Sequence, residues 1–563
     1  MTHHSSLITA ALTPIPLAPI LRSRSEMMAS SMRRLFPFWI ALALLALLWW
    51  LPGGFGMSPI LDDWTLLLSA SRGELPLFYP DIAPTRPLTY IPWIAAWTLT
   101  PESFLGLNLV MLAAHWLKGA ALLALLLRLI PQRPAFAWIG AALFMLYPAD
   151  HGIFYPGIVN IQMAAALTII AIDRLVAYWQ RPTPLRLALM LIAQSLAVLT
   201  YEAGIPLMLC APALLIWLER GVSRRFWRIS ALWTAIPLIW MGYFISTLIE
   251  GSSAYQAGLF DLGGDRWSLP GGLGFMLFMN YAAGFGFGAE AGRRALSGDL
   301  PLTLLIVAVG IGIAAALIAV RADRHQQDAQ PRWRSLFLGG LLAVFVGFAL
   351  YIPTRDFSAQ QYTWRLSIFT AIGAAVSISA LLMLLPRRIA YAAAGILIML
   401  AALRGLSQHR HFAAWSADQL EIVRAAAKAV RTPPDGTLIA IIDASSDEHL
   451  RTFRLNYVLE HALQLMYDSR RLYGRICYDD ATSPRPHETC RFEDETLIVS
   501  GIWAGVERVP LDRVILLYFD GALTLLDSIP SRYLDGASAA TYAPSALIDP
   551  ASPLPPRLEK LFR

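Results

Sequence analysis

The sequence predicts a polytopic α-helical membrane protein of about eleven transmembrane helices, with a small polar α/β domain following the last of them. Three observations lead there. Hydrophobic residues fill 56% of the 563 positions, charged residues only 15%, and the mean hydropathy is +0.52; an average soluble domain carries about 25% charge. The apolar runs are continuous rather than alternating, and in hydrocarbon such a run must be helical because no water is there to satisfy its backbone. Composition also shifts sharply after Arg404: helical spacing over 413–430 gives way to buried-strand runs at 436–443, 496–499 and 514–519.

Residues 1–35 read as a cytoplasmic tail, mixed in character and ending in Arg22, Arg24, Arg33 and Arg34 ahead of the apolar run 36–51. That order is a signal-anchor with a positive, inside-facing start; Pro52, Gly53 and Gly54 and then an acidic segment stand where a cleavable signal would place small residues. Further spans are expected near 103–128, 134–148, 157–178, 186–201, 203–218, 229–250, 300–321, 335–353, 364–386 and 388–404. The loops holding Arg128 and Arg133, Arg181 and Arg186, Arg220 and Arg228, Arg321 and Arg334, and Arg387 and Arg388 then share the inner side. This assignment requires the Gly- and aromatic-rich stretch 271–290 to be re-entrant or interfacial. With eleven crossings, residues 405–563 form the extracytoplasmic domain and 36–404 the membrane domain, in a multi-pass plasma-membrane protein.

The net charge of +6 is spread over short loops, a record of topology rather than a nucleic-acid-binding tract. No nucleic-acid partner is expected. No inverted repeat of transporter type is visible, and Walker A, GxSxG and HExxH motifs are lacking, which leaves ATP-driven transport, serine hydrolysis and zincin chemistry without support. Cys210 lies in an apolar run as a small core residue. Cys477 and Cys490 sit in the polar region, where an oxidising compartment favours a disulfide and a reducing one two free thiols.

The candidate chemistry gathers in the outer loops. Asp62 and Asp63, in Ile60-Leu-Asp-Asp-Trp-Thr65, follow the first span; adjacent carboxylates raise each other's pKa and can act as a base or hold a divalent metal. Arg86, held between Pro84 and Pro87, precedes an apolar segment with Tyr90, Trp93 and Trp97; its fork suits a lipid phosphate, and an interfacial anchor reads the same way. Asp150 and His151, after Phe144-Met-Leu-Tyr-Pro148, offer a second acidic group on that face, and Asp62 with Asp150 would be the metal pair for Mg2+ or Mn2+. Glu202, in Leu199-Thr-Tyr-Glu-Ala-Gly-Ile-Pro206, occupies a short outer turn, where an ionisable residue marks a functional site or caps the next helix. Arg355 and Arg365 precede the tenth span and either complete a phosphate clamp with Arg86 or pair with carboxylates.

Taken in order, the Asp-Asp of the first outer loop, the Arg-Pro-Leu after it, the Tyr-Pro-x-x-His of the second and the Tyr-Glu-Ala-Gly-Ile-Pro turn resemble the multispanning GT-C glycosyltransferases, over roughly residues 36–404. The resemblance is nearest to protein O-mannosyltransferase-like branches and tetratricopeptide-linked O-mannosyltransferases. It implies a polyprenyl-phosphate sugar donor, a membrane-lipid surrounding, and transfer of a hexosyl or pentosyl group to a hydroxyl of a glycan, lipid or protein at the extracytoplasmic face. By the resemblance Asp62 is the catalytic base, Asp63 its acidic neighbour, and Asp150 and His151 the second-loop pair. Two features depart from that pattern: Tyr201 precedes Glu202 where related enzymes often have Lys, and the C-terminal region shows no tetratricopeptide period. Two other classes remain, a transporter or flippase of lipid-linked glycans and a non-catalytic envelope assembly protein.

Overall fold

A computed structural model of the chain describes residues 36–74, 85–149, 156–219, 221–249, 268–323, 333–349, 367–444, 456–478, 490–501, 505–534 and 536–561. Each of the eleven expected apolar runs contains helix. In chain order the amino-terminal helices are α1 (Phe36–Trp50), the short outer α2 (Asp63–Arg72) and α3 (Ile91–Leu99), then α4 (Leu105–Leu129), α5 (Pro134–Met145), α6 (Val159–Gln180) and α7 (Pro184–Thr200). After them come α8 (Ile205–Cys210), α9 (Ala213–Glu219), α10 (Arg224–Ile249), α11 (Ser268–Phe278), α12 (Gly284–Leu296), α13 (Leu302–Asp323), α14 (Trp333–Phe348), α15 (Ser367–Leu382) and α16 (Arg387–Ala429). Six helical stretches among the described residues are long and apolar enough to cross a membrane: Leu105–Leu129, Val159–Gln180, Glu202–Glu219, Arg224–Thr247, Leu302–Asp323 and Arg387–Ala429. The remaining five apolar helices are shorter.

Within the bundle, polar side chains bond carbonyls and hydroxyls of neighbouring helices. Trp138 donates to the carbonyl of Ala315 at 2.9 Å, Gln194 to that of Trp233 at 2.8 Å, and Asn280 to Thr370 Oγ1 at 3.0 Å. With lipid as apolar as the core, helix contact rests on close approach and such bonds. A Cβ at Gly340 on α14 would lie 2.7 Å from the carbonyl oxygen of Gly373 on α15, so the two backbones touch there.

The stretch 271–290, expected to be re-entrant or interfacial, lies within a helical run from Ser268 to Leu296 whose two halves, α11 and α12, are joined by a π-helical turn at Met279–Ala283; the run is not among the six stretches long and apolar enough to cross a membrane. Gly284 and Gly288 within the stretch, and Gly292 just after it, serve packing. A Cβ at Gly284 would meet the backbone at Pro148 and Ala149, and one at Gly292 would lie 3.2 Å from Leu403; Gly288 abuts the backbone at Leu400, so α12 runs beside α16 in the same direction.

Helix α16 runs unbroken for 43 residues, about 65 Å, across the boundary expected at 404. Its end leads into a four-stranded sheet, β1 (Leu438–Asp443), β2 (Tyr473–Tyr478), β6 (Val514–Phe519) and β7 (Leu523–Leu525), in the order β2-β1-β6-β7. The first three are parallel and β7 is antiparallel. Helix α17 (Asn456–Tyr467) connects β1 to β2 and covers the sheet with Val458, Leu459, Ala462 and Leu463. A second, antiparallel sheet holds β3 (Cys490–Glu493), β4 (Thr496–Gly501) and β5 (Gly505–Pro510). A Cys477–Cys490 disulfide, Cα atoms 5.2 Å apart, ties it to β2.

Overpacking the α14–α15 contact tests this arrangement. Gly373→Leu is expected to cost about 1–3 kcal/mol and to lower the thermal midpoint in detergent. Gly339→Leu, one residue from the contact and with open space at its Cβ position, should leave that midpoint unchanged.

Candidate active site

The segment after α1 is built by local strain and by bonds from the far end of the chain. After α1, Gly54–Gly56 makes one 3-10 turn, and the buried Leu61 takes a left-handed backbone, φ 49°. A non-glycine residue stays in that region only when its surroundings over-determine it. Those surroundings come from α16: Ser58 N–H donates to Ser416 Oγ at 3.0 Å, Ser58 Oγ to the Ser416 carbonyl at 3.1 Å, and Trp64 Nε1 to Gln419 Oε1 at 3.3 Å.

Asp62 and Asp63 sit at the turn into α2 with different fates. Asp62 is half-buried at the N-cap and makes no capping bond with its side chain. Asp63 is fully buried, with Oδ2 accepting from the Ile60 N–H at 3.1 Å and Oδ1 from Trp93 Nε1 at 3.1 Å. Burial pushes its carboxyl up to about 8, against the downward pull of the Ile60 and Trp93 bonds and helped by the neighbouring charge of Asp62. At neutral pH Asp63 therefore keeps its proton. A neutral Asp63 spares Asp62 much of the repulsion that two adjacent carboxylates would feel.

Trp93 lies on α3, and the segment leading into α3 carries Arg86. Arg86 Nε donates to Glu202 Oε2 at 2.7 Å, its Nη2 bonds Glu202 Oε1, and its guanidinium stands 4.3 Å from the centre of the Tyr201 ring. Glu202 is 4% exposed, so the pair offsets a buried charge rather than decorating a surface. The bond from Leu88 N–H to the carbonyl of Leu199, 3.1 Å, and that from Asn160 Nδ2 to Thr89 Oγ1, 2.5 Å, hold the segment against α7 and α6. Residues 85–93 thus bridge the site, with Asp63 bound at one end and Glu202 at the other.

Of the residues read from sequence, Asp62, Asp63, Arg86 and Glu202 belong to this one end of the bundle. Glu202 does not cap α8, whose N-cap is Gly204; its carboxylate goes to Arg86. Asp150, His151, Arg355 and Arg365 lie outside the described residues. Among the described residues no three His, Cys, Asp or Glu side chains gather as a metal cluster, and both oxygens of Asp63 accept hydrogen bonds.

Several participants escaped the sequence reading. Trp93 was visible only as part of an apolar segment, and Tyr201 only as a departure from a pattern. Ser416, Gln419 and His461 carried no signal. His461 Nδ1 is hydrogen-bonded to Thr65 Oγ1 at 2.7 Å, while Arg72 donates to the Ser469 carbonyl at 2.7 Å. Arg470 with Glu74 at 2.6 Å, Arg557 with Asp468 and Lys560 with Glu102, both 2.7 Å, complete the polar seam under α17.

No family model matches the chain, nor does any curated protein. Solved structures with some likeness include ArnT from Cupriavidus metallidurans bound to undecaprenyl phosphate, 12% identical, with a TM-score of 0.37 over 78% of this chain and 85% of that one. A likeness this distant bears on no individual residue.

Two outcomes check the geometry. Arg86→Ala should destabilise by about 3–5 kcal/mol because it strands a buried carboxylate, whereas adding Glu202→Ala to it should recover part of that loss; a double-mutant cycle of thermal unfolding reads the coupling. The second concerns pH. The folded chain holds the Asp63 proton up to about pH 8, whereas the unfolded carboxyl releases it near 3.8, so this contribution is complete below about pH 4 and disappears as pH rises to 8. Against Asp63→Asn, wild type should lose thermal stability progressively across that window.

Proposed function

We propose that the protein is a glycosyltransferase of GT-C type that moves a sugar from a polyprenyl-phosphate donor to an acceptor hydroxyl at the extracytoplasmic face of the plasma membrane. The observation that carries this reading is the division of labour between the two adjacent carboxylates. Asp63 is buried and keeps its proton at neutral pH; Asp62 is half-buried at the mouth of the same turn. Such a pair supplies one ionised base beside one neutral, fixed neighbour, the state a proton-abstracting site needs.

In this reading Asp62 takes the proton of the acceptor hydroxyl as the hydroxyl oxygen attacks the anomeric carbon. The bond from that carbon to the phosphate oxygen breaks, and the polyprenyl phosphate departs with the electron pair. Arg86, with Arg355 and Arg365, is assigned the departing phosphate, since guanidinium matches it in charge and geometry. Glu202 grips Arg86 by the Nε edge and, with the Tyr201 ring beneath, fixes its plane. No step is routed through a divalent cation, whose assigned ligands remain Asp62 and Asp150.

The extracytoplasmic placement is supported by the Cys477–Cys490 disulfide, since such bonds persist in oxidising compartments, and by the agreement of the basic loops with an inside-facing amino terminus. The bonds between α2 and the C-terminal region, Thr65 with His461 and Arg72 with Ser469, support a role for that region beside the carboxylates in acceptor approach.

The test is transfer of radiolabelled sugar from polyprenyl-phosphate donors in membranes containing equal amounts of each variant. Asp62→Asn should reduce transfer by about 100-fold or more, and Asp63→Asn, which keeps a neutral side chain there, by much less. Wild-type membranes that transfer no sugar from any donor would overturn the reading and bring forward the flippase class. Equal losses in the two variants would overturn the assignment of the base.

A further inference from the structure

At the opposite end of the bundle from the carboxylates, the ends of four helices bring arginines together. Arg128 closes α4, Arg174 lies in the last turns of α6, Arg186 opens α7 and Arg225 opens α10. One carboxylate, the buried Asp173, serves two of them: Arg128 Nε donates to Oδ1 at 2.5 Å, and Arg174 Nε to Oδ2 at 3.0 Å. The other two are held by backbone carbonyls at the end of α6. Arg186 donates to Ala177 at 2.9 Å, and Arg225 bonds Trp179 while standing 4.5 Å from that residue's ring centre. Arg186 also lies within electrostatic reach of Arg128, Arg174 and the exposed Arg181.

Among the described residues, Arg128 and Arg174 thus share one carboxylate while Arg186 and Arg225 are held by carbonyl dipoles, so four guanidiniums meet a single carboxylate charge. Topology does not require this crowding: the excess of positive charge in inner loops is satisfied equally by residues that stand apart. Arg387 illustrates the ordinary case, paired one-to-one with Asp323 at 3.3 Å near the end of α13. The crowded arginines are reachable, with the side chains of Arg128 and Arg174 28% and 35% exposed. Beside them on α7, α10 and the turn between α9 and α10 stand the exposed apolar side chains Leu185, Trp227 and Val222.

We propose that this cluster is a binding site for the headgroup of an anionic phospholipid, whose phosphate supplies the missing negative charge while its acyl chains lie along Leu185 and Trp227. A diester phosphate accepts from several guanidinium N–H groups at once. A basic pocket between helix ends at the membrane boundary is the setting in which such headgroups bind. The adjoining tryptophan belongs at the same level, where its ring is half in lipid. This inference is independent of the transferase reading and holds or fails without it.

The test uses the full chain in neutral detergent and reads the thermal midpoint while dioleoylphosphatidylglycerol or dioleoylphosphatidylcholine is titrated in, with inorganic phosphate at matched ionic strength as a third arm. Phosphatidylglycerol should raise the midpoint and the other two should not. The double variant Arg186→Gln with Arg225→Gln should need about tenfold more phosphatidylglycerol for the same rise, whereas Arg388→Gln, an exposed arginine outside the cluster, should behave as wild type. If the double variant does not fold, Arg174→Gln, which leaves the Arg128–Asp173 pair in place, is read the same way. An equal response to phosphatidylcholine, an equal response in the cluster variant, or a full response to inorganic phosphate would each overturn the proposal.

Discussion

Hydrocarbon has no partner for a peptide group, and most of this molecule follows from that one constraint. It makes every apolar run a helix and obliges polar side chains inside the bundle to find carbonyls or one another, as Trp138, Gln194 and Asn280 do. Apolar burial no longer distinguishes a neighbouring helix from lipid, so the helices meet where side chains are smallest. The backbone contact of Gly340 with Gly373 and the glycine face of α12 against α16 are the result.

The same constraint makes buried charge costly and therefore informative. Glu202 is tolerated because Arg86 is held against it, and Asp173 because two arginines share it. These two sites, at opposite ends of the bundle, solve the problem differently. At the first, one carboxylate meets one guanidinium and the local charge closes. At the second, two arginines share the carboxylate and two more are held by backbone carbonyls of α6.

Helix α16 runs continuously from the bundle toward the C-terminal sheet. Leaving the bundle, it presents Ser416 and Gln419 to the strained turn around Leu61, and its end leads into the sheet that places α17 over α2. The carboxylate pair is thus gripped by residues more than 350 positions away in sequence, such as Gln419 at Trp64. A left-handed Leu61 is explicable only with that grip in place.

Much of the architecture was legible from the residues. Continuous apolar runs specified the helices because hydrocarbon permits no other secondary structure for them, and the strands at 438–443, 496–501 and 514–519 followed from short apolar runs bounded by turns. The carboxylates and Arg86 stood out because charge beside apolar sequence is expensive. What sequence could not supply was partnership: that Arg86 faces Glu202, that Trp93 and Ile60 hold Asp63, and that His461 reaches Thr65. The packing of Gly284 and Gly288 was hidden for a related reason, since the value of a glycine at a helix contact depends on what lies opposite. Hydropathy and charge are properties of a residue and its neighbours in the chain, whereas burial, pairing and close approach are properties of surfaces that meet only after folding, and only the tertiary structure decides them.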